Sequence, residues 1–249
     1  PHFPALNIRT HGIQTLLDVY ATALRGQERL VGDDGRVIWR NVRKMVEVFA
    51  RQEEQLLQQE TMVRDRQSKS AAKRKMEAED RYQATPMFDR RVEAYINPHE
   101  PGWEDRYYTK LFDVKIDNNR RREICLNYLE GLEWTLKYYT SGCANWRWRY
   151  KYHYPPLFTD LVRFIPYFDT ELMPASRARP VSSFVQLAYV LPGKHLGLLP
   201  DKVRARLLTE HPEWYRDDAH FEWAYCRYMW EAHAHLPDKS VEELERIVH

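Results

Sequence analysis

The chain has 249 residues and a mass of 30.0 kDa, is 43% hydrophobic and 30% charged, and carries a net charge of +2. That length supports one large domain or two small ones, and so mild a positive balance means that any charge serving a nucleic acid must be local. Nine glycines leave no Gly-rich phosphate loop, Cys125, Cys143 and Cys226 form no Cys-x-x-Cys pair for structural zinc, and no run of about 18 apolar residues offers a membrane span.

The odd cysteine count and the lack of a signal-peptide pattern suit a reducing, intracellular setting. The first residue is Pro, which reads as a piece of a longer polypeptide. After an extended opening at Pro1–Ile8, Ile13, Leu16, Leu17, Tyr20 and Leu24 recur at helical spacing, with Thr10 as the expected cap. Gly26 and Gly32-Asp33-Asp34-Gly35 mark a polar loop. A long helix is expected from about Val37 to Tyr82, with Val42, Met45, Val46, Phe49, Leu56 and Leu57 as its apolar stripe. Its later part carries Arg64, Arg66, Lys69, Lys73, Arg74 and Lys75 against Asp65 alone. Such a run is a solvated helix face, a mobile arm or a phosphate contact.

Pro86 and Asn97-Pro98-His99-Glu100-Pro101-Gly102 punctuate the chain and suggest a boundary. An aromatic helix or turn follows from Gly102 to Val114, then a strong helix from an Asn119 cap through Tyr139. Its expected apolar side is Ile124, Tyr128, Leu129, Leu132, Leu136 and Tyr139. Arg120, Arg121 and Arg122 crowd its first turn, the wrong end for the helix dipole, and need an acidic partner or a phosphate. Short helices are expected at about Leu157–Phe164, Val181–Val190, Asp201–Thr209 and Val241–Val248. The fold class is mostly α: an irregular helical domain with one long helix and a short extended aromatic and basic segment.

That segment follows Ser141-Gly142. Trp146, Trp148, Tyr150, Tyr152 and Tyr154 alternate with Arg147, Arg149, Lys151 and His153. In an extended chain one face is then all ring and the other nearly all cation. Rings that stack on bases beside cations that hold phosphates suit a single-stranded nucleic acid. A ring face packed into a core with its cations in water has the same pattern, and one exposed Trp suffices for stacking.

Hydrolytic machinery is not evident. The acid pairs Asp33-Asp34, Glu104-Asp105 and Asp217-Asp218 do not resemble a two-metal carboxylate site and read as loops and caps. His233-x-His235 lacks the i, i+4 spacing of a helical metal site, Cys143 with His153 lacks a third group, and Ser182-Ser183 has no nucleophile elbow. No catalytic residue and no metal ligand is therefore assigned to this chain.

Tyr128-Leu129-Glu130-Gly131-Leu132-Glu133-Trp134, Tyr138-Tyr139, Gly142-Cys143, Trp146-x-Trp148 and Tyr152-His153-Tyr154-x-Pro156 together resemble the second conserved region of the Xrn family of 5′→3′ exoribonucleases. Pro1–Ile8, Trp103-x-x-Arg106-Tyr107-Tyr108, Ser183-Phe184-x-Gln186-Leu187 with Val190-Leu191-Pro192, and Leu198-Leu199-Pro200 fit the family in order. The resemblance is specific over 103–160 and thin at 36–85 and beyond 210. It implies that residues 1–85 join a catalytic α/β core lying outside this chain, and that 86–249 are the second conserved region packed onto it.

By the same resemblance, the complete protein degrades 5′-monophosphorylated single-stranded RNA. The Mg2+ or Mn2+ ions and the acidic residues that bind them belong to the first conserved region, before Pro1, so this chain alone is expected to be inactive. Its partners are that region, on the same or a separate polypeptide, and the RNA. The resemblance makes Trp146, or else Trp148, the ring that stacks on the 5′-terminal base, with Arg147, Arg149 and Lys151 as tentative backbone contacts. Glu130, Gly131, Trp134, Tyr138, Tyr139, Tyr152, His153 and Tyr154 are motif residues with a structural role. Arg147, Arg149, Lys151 and Pro155 depart from the residues common in the family. A nuclear or cytoplasmic setting is expected, with an organelle left open. The alternative is a non-catalytic Xrn-like scaffold or subunit that binds RNA or protein in a larger assembly.

Overall fold

The computed structural model describes residues 3–6, 11–26 and 28–249, and these are mostly helical. The chain forms two compact units, one of Pro1–Ser176 with Ala224–Glu231 and the other of Arg177–Trp223 with Ala232–His249.

In the first unit α1 spans Gly12–Ala23 and α2 spans Trp39–Ala72. Thr10, the expected cap of α1, lies outside the described residues. The polar loop closes as a small hairpin: Val31 bridges Val37, the Gly32 N–H donates to Arg36 O at 2.9 Å, and Gly35 takes a φ of 77° that suits glycine. On α2 the buried residues include Trp39, Met45, Val46, Phe49, Glu53, Leu57, Arg64 and Ala71, a row at helical spacing that runs almost to its end. The helix stops at Ala72 and does not continue to Tyr82. Its last turn tightens as the Arg74 N–H donates to Ala71 O at 3.0 Å, and Lys73-Arg74-Lys75, all exposed, offer like charges and nothing to bury.

Four short helices follow: α3 (Ala78–Gln83), α4 (Thr85–Phe88), α5 (Arg91–Ile96) and the aromatic α6 (Trp103–Phe112). Then come α7 (Asn118–Thr140) and α8 (Phe158–Phe164). One core joins α2, α7 and α8 through Trp39, Phe49, Cys125, Leu129, Phe158 and Ile165, with Phe49 and Phe158 stacked at 5.0 Å. The second gathers Leu57, Ile96, Trp103, Tyr107, Tyr108, Ile124 and Leu157. Buried polar groups tie these layers together. Glu53 of α2 accepts the Phe158 and Thr159 N–H groups at 2.6 and 2.9 Å, so a side chain 105 residues away caps α8. Burial nevertheless raises its pKa to about 7 against those two donors. Arg106 donates to the carbonyls of Tyr95, Ile96, Asn97, Glu100 and Pro101, which closes the end of α5 and the turn after it.

The second unit contains α9 (Ser183–Val190), α10 (Asp201–Glu210) and α11 (Val241–Val248) around Val185, Ala188, Leu196, Leu199, Leu207, Tyr215, Leu244 and Ile247. Ser240 caps α11 by accepting the Glu243 N–H at 3.2 Å. Two three-residue strands, β1 (His220–Glu222) and β2 (His233–His235), pair antiparallel in the register His220 with His235, Phe221 with Ala234 and Glu222 with His233.

Candidate nucleic-acid interface

The candidate interface is built on α7. Its cap is Asp117, which accepts the Arg120 N–H at 2.8 Å, and not Asn119, which already lies inside the helix. Two of the three arginines of its first turn find acids: Arg120 pairs with Glu123 at 2.9 Å, and Arg121 with Asp160 at 2.6 Å and with Asp105. The expected apolar side holds as far as Leu129, after which Leu132 and Tyr139 are exposed. Where that side leaves the core, the segment 143–157 returns along the helix.

This return is irregular chain with a turn at Trp146-Arg147, not a strand. From Arg147 onward the alternation still sorts the side chains. Arg147, Arg149, Lys151 and His153 are exposed, Trp148, Tyr150 and Tyr152 are half-buried, and Tyr154 is buried. Strand pairing is not needed for the sorting, because side chains hold the backbone to α7. The Lys151 N–H donates to Asn127 Oδ1 at 3.0 Å, and Trp134 Nε1 donates to Asn145 O at 2.9 Å.

Trp148 is held on three sides. It stacks on Trp134 at 5.7 Å and donates from Nε1 to Glu130 Oε2 at 3.1 Å. Its ring fills the space over Gly131, where an added Cβ would lie 2.7 Å from Cη2. Trp134 also stacks on Tyr138 at 5.2 Å, and Tyr138 meets Tyr139 edge-on. Farther along, Tyr150 meets Tyr128 and Tyr152 edge-on, and its hydroxyl donates to Tyr154 O at 2.6 Å. Burial drives the Tyr150 phenol far above its ordinary pKa, so that hydroxyl stays a donor.

Trp146 breaks the sequence of inward rings. It sits at the turn and is 53% exposed. The side chains that the sequence singled out thus fall into a packed set (Glu130, Gly131, Trp134, Trp148, Tyr152, Tyr154), an exposed Tyr138 stacked on Trp134, an outward indole, and a row of outward cations. Tyr139, at the end of α7, is 81% exposed.

The basic run of α2 is not one surface. Arg64 is buried: its Nε and Nη2 donate to the two Glu93 oxygens at 2.8 and 2.7 Å, and Nη2 also to Cys226 O at 2.6 Å. Arg90 joins from the other side at 2.6 Å and also pairs with Asp65. Arg66, Lys69, Lys73, Arg74 and Lys75 are exposed. Sequence reasoning missed Glu53, Glu93 and Arg106. For Glu53 and Arg64 a signal existed: 49, 53, 57 and 64 continue one buried row of α2, so a charge on that row had to be partnered.

The remaining candidates separate. Asp33 and Asp34 pair with Arg29 and Arg36, Asp217 lies 3.9 Å from Lys194, and Asp218 pairs with Arg216. Ser182 and Ser183 stand at the start of α9, and His233 and His235 lie on β2. As the side chains stand, no three His, Cys, Asp or Glu among the described residues converge to hold a metal ion. No helix among the described residues is long and apolar enough to cross a membrane.

The first unit is mostly helical and carries an aromatic and basic corner. The chain belongs to the Xrn family: the model of the Xrn1 helical domain matches residues 1–97 and 88–246. It is 31% identical over 164 residues to a Debaryomyces hansenii protein named 5′-3′ exoribonuclease 2, and 35% identical over 144 residues to the Gallus gallus protein of that name; these matches cover 60% and 55% of this chain. An Arabidopsis thaliana protein of the same name matches 95% of the chain at 24% identity. These alignments span only 16%, 15% and 31% of the three relatives.

Proposed function

We propose that this chain is the helical, RNA-facing part of a 5′→3′ exoribonuclease that degrades 5′-monophosphorylated single-stranded RNA. In this reading Trp146 lies flat against the leading base, and Arg147, Arg149 and Lys151 border the path of the backbone. The observation that carries the reading is the contrast at one corner: Trp146 is turned outward while Trp148, two residues on, is packed against Gly131 and Trp134. An exposed indole on a packed set of side chains is a preorganised stacking surface, and stacking of this kind contributes roughly 1–3 kcal/mol per base.

Hydrolysis itself belongs to residues outside this chain. Mg2+ or Mn2+, bound there by carboxylates, would activate the attacking water. What this chain does is orient the first nucleotide, neutralise phosphates and exclude duplex. The apolar face of α1 supports a neighbouring domain: Ile13, Leu16 and Leu17 are 57%, 41% and 54% exposed, side by side on one helix. We assign that face to the catalytic region, and residues 86–249 to the region that wraps it.

The test is Trp146→Ala in the full-length protein, with degradation of 5′-monophosphorylated RNA and 5′-end binding as readouts. Both should fall about tenfold or more while thermal stability holds. Unchanged binding of the 5′ end would remove Trp146 from this role. A full-length protein that binds RNA yet shows no hydrolysis with Mg2+ or Mn2+ would instead support a scaffold.

A further inference from the structure

The hairpin of β1 and β2 gathers four metal-ligating side chains on one face. Facing residues of an antiparallel pair share a face, and so do residues two apart on one strand. The register pairs His220 with His235 and Glu222 with His233. All four therefore project to the same side of the ribbon, and Phe221 and Ala234 project to the other. The His220 and His235 rings are 5.6 Å apart, and His235 Nε2 lies 3.3 Å from Glu222 Oε2. His220 and His235 are exposed at the surface and His233 and Glu222 are half-buried, so an ion in solution can reach them.

The spacing that argues against a metal on a helix argues for one on a strand. His-x-His at i, i+2 places both imidazoles on one face of a strand, and a third imidazole directly across completes a three-nitrogen set. Zn2+ takes such a set with a carboxylate as fourth ligand, in tetrahedral geometry with Zn–N near 2.0–2.1 Å. As the side chains stand, the donors do not meet at a point. Glu222 Oε2 already lies 3.3 Å from His235 Nε2, and an ion would draw the imidazoles together by side-chain rotation with the backbone register kept.

A second consideration comes from the hairpin itself. Two strands of three residues are marginal without something to fasten them. These strands flank the segment Ala224–Glu231 in the chain. An ion held across them would fix the ends of that segment.

We propose that His220, His233 and His235, with Glu222, form a binding site for a divalent transition-metal ion of the Zn2+ class. The ion closes the hairpin and has no chemical step assigned to it. The probe is Co2+ titrated into the tag-free 249-residue chain, followed by visible absorption, with Zn2+ added to displace it. One equivalent should bind with the intense visible bands of tetrahedral Co2+ and without a thiolate charge-transfer band, which keeps the exposed part of Cys143 out of the account. His220→Gln and His235→Gln should each weaken binding about tenfold or more, while His195→Gln, outside the hairpin, should change nothing. Thermal stability of the wild-type chain should rise with Zn2+, and that rise should vanish in His220→Gln/His235→Gln. Absence of a stoichiometric Co2+ complex would overturn the proposal, and so would binding that survives the double substitution.

Discussion

Glu93→Gln removes the charge at the centre of a buried network, and its cost can be worked from the partners it leaves. The Glu93 carboxylate accepts two bonds from Arg64, one from Arg90 at 2.6 Å and one from the Tyr225 N–H at 2.7 Å. Arg90 keeps Asp65 as counter-charge. The Arg64 side chain, 6% exposed, keeps only the Cys226 carbonyl. The amide retains one acceptor oxygen and turns an N–H2 group toward the guanidinium. Breaking one side of a buried pair typically costs about 3–5 kcal/mol, because an uncompensated charge stays inside. For a chain of this size that corresponds to a fall in Tm of roughly 6–20 °C. The assay is urea denaturation followed by tryptophan fluorescence, with hydrogen exchange at α5 and 224–231 to localise the loss. Arg64→Met added to Glu93→Gln should recover part of the stability, since it removes the stranded charge. A loss below about 1 kcal/mol for Glu93→Gln, or no recovery in the double variant, would refute the reasoning.

Glu53 makes stability depend on pH. Its folded pKa near 7 stands above the ordinary 4.5, so between those values the folded state holds a proton that the unfolded chain has lost. Stability should therefore fall as pH rises from about 4.5 to 7, by about 3 kcal/mol in all; denaturation curves across that window should flatten in Glu53→Gln. Gly131→Ala should cost about 1–3 kcal/mol, because the new methyl meets the Trp148 ring at 2.7 Å, and near-ultraviolet circular dichroism should report the displaced indole. Arg106→Met, which abandons five backbone carbonyls, should lower stability by roughly 2–4 kcal/mol in a urea series. Charge reversal at Lys73, Arg74 and Lys75 should weaken RNA affinity and flatten its salt dependence only if those residues touch phosphates; a filter-binding series across salt concentrations decides it.

Much of the helical frame was legible because apolar periodicity is a local property. The short helices near 158–164, 183–190 and 201–210 follow from runs of a few apolar residues between prolines, and that at 241–248 from a like run after Pro237. What was not legible depends on distant partners. The fate of Arg64 was hidden because Glu93 and the Cys226 carbonyl lie 29 and 162 residues away. The aromatic alternation sorts Trp148, Tyr150, Tyr152 and Tyr154 inward but misplaces Trp146, and it reads equally well as a strand. Only the side-chain anchors from Asn127 and Trp134 show how irregular chain keeps that order. Trp146 and Trp148 are equivalent in sequence, and the glycine that accommodates one of them sits on another element. The pairing of β1 with β2 had no sequence signal, since each strand is three residues long and a long irregular stretch separates them.

The return of Ala224–Glu231 to the first unit bears on how the chain is made. Tyr154 receives the Ala224 N–H through its hydroxyl at 3.1 Å, and Glu93 receives that of Tyr225. Neither bond exists until the ribosome has added nearly fifty residues beyond Ser176. The earlier helices must wait, with an ionic centre unfinished, while the second unit emerges. Fragments cut at Ser176 should consequently be sticky and prone to degradation, whereas those that extend past Glu231 carry the missing wedge with them.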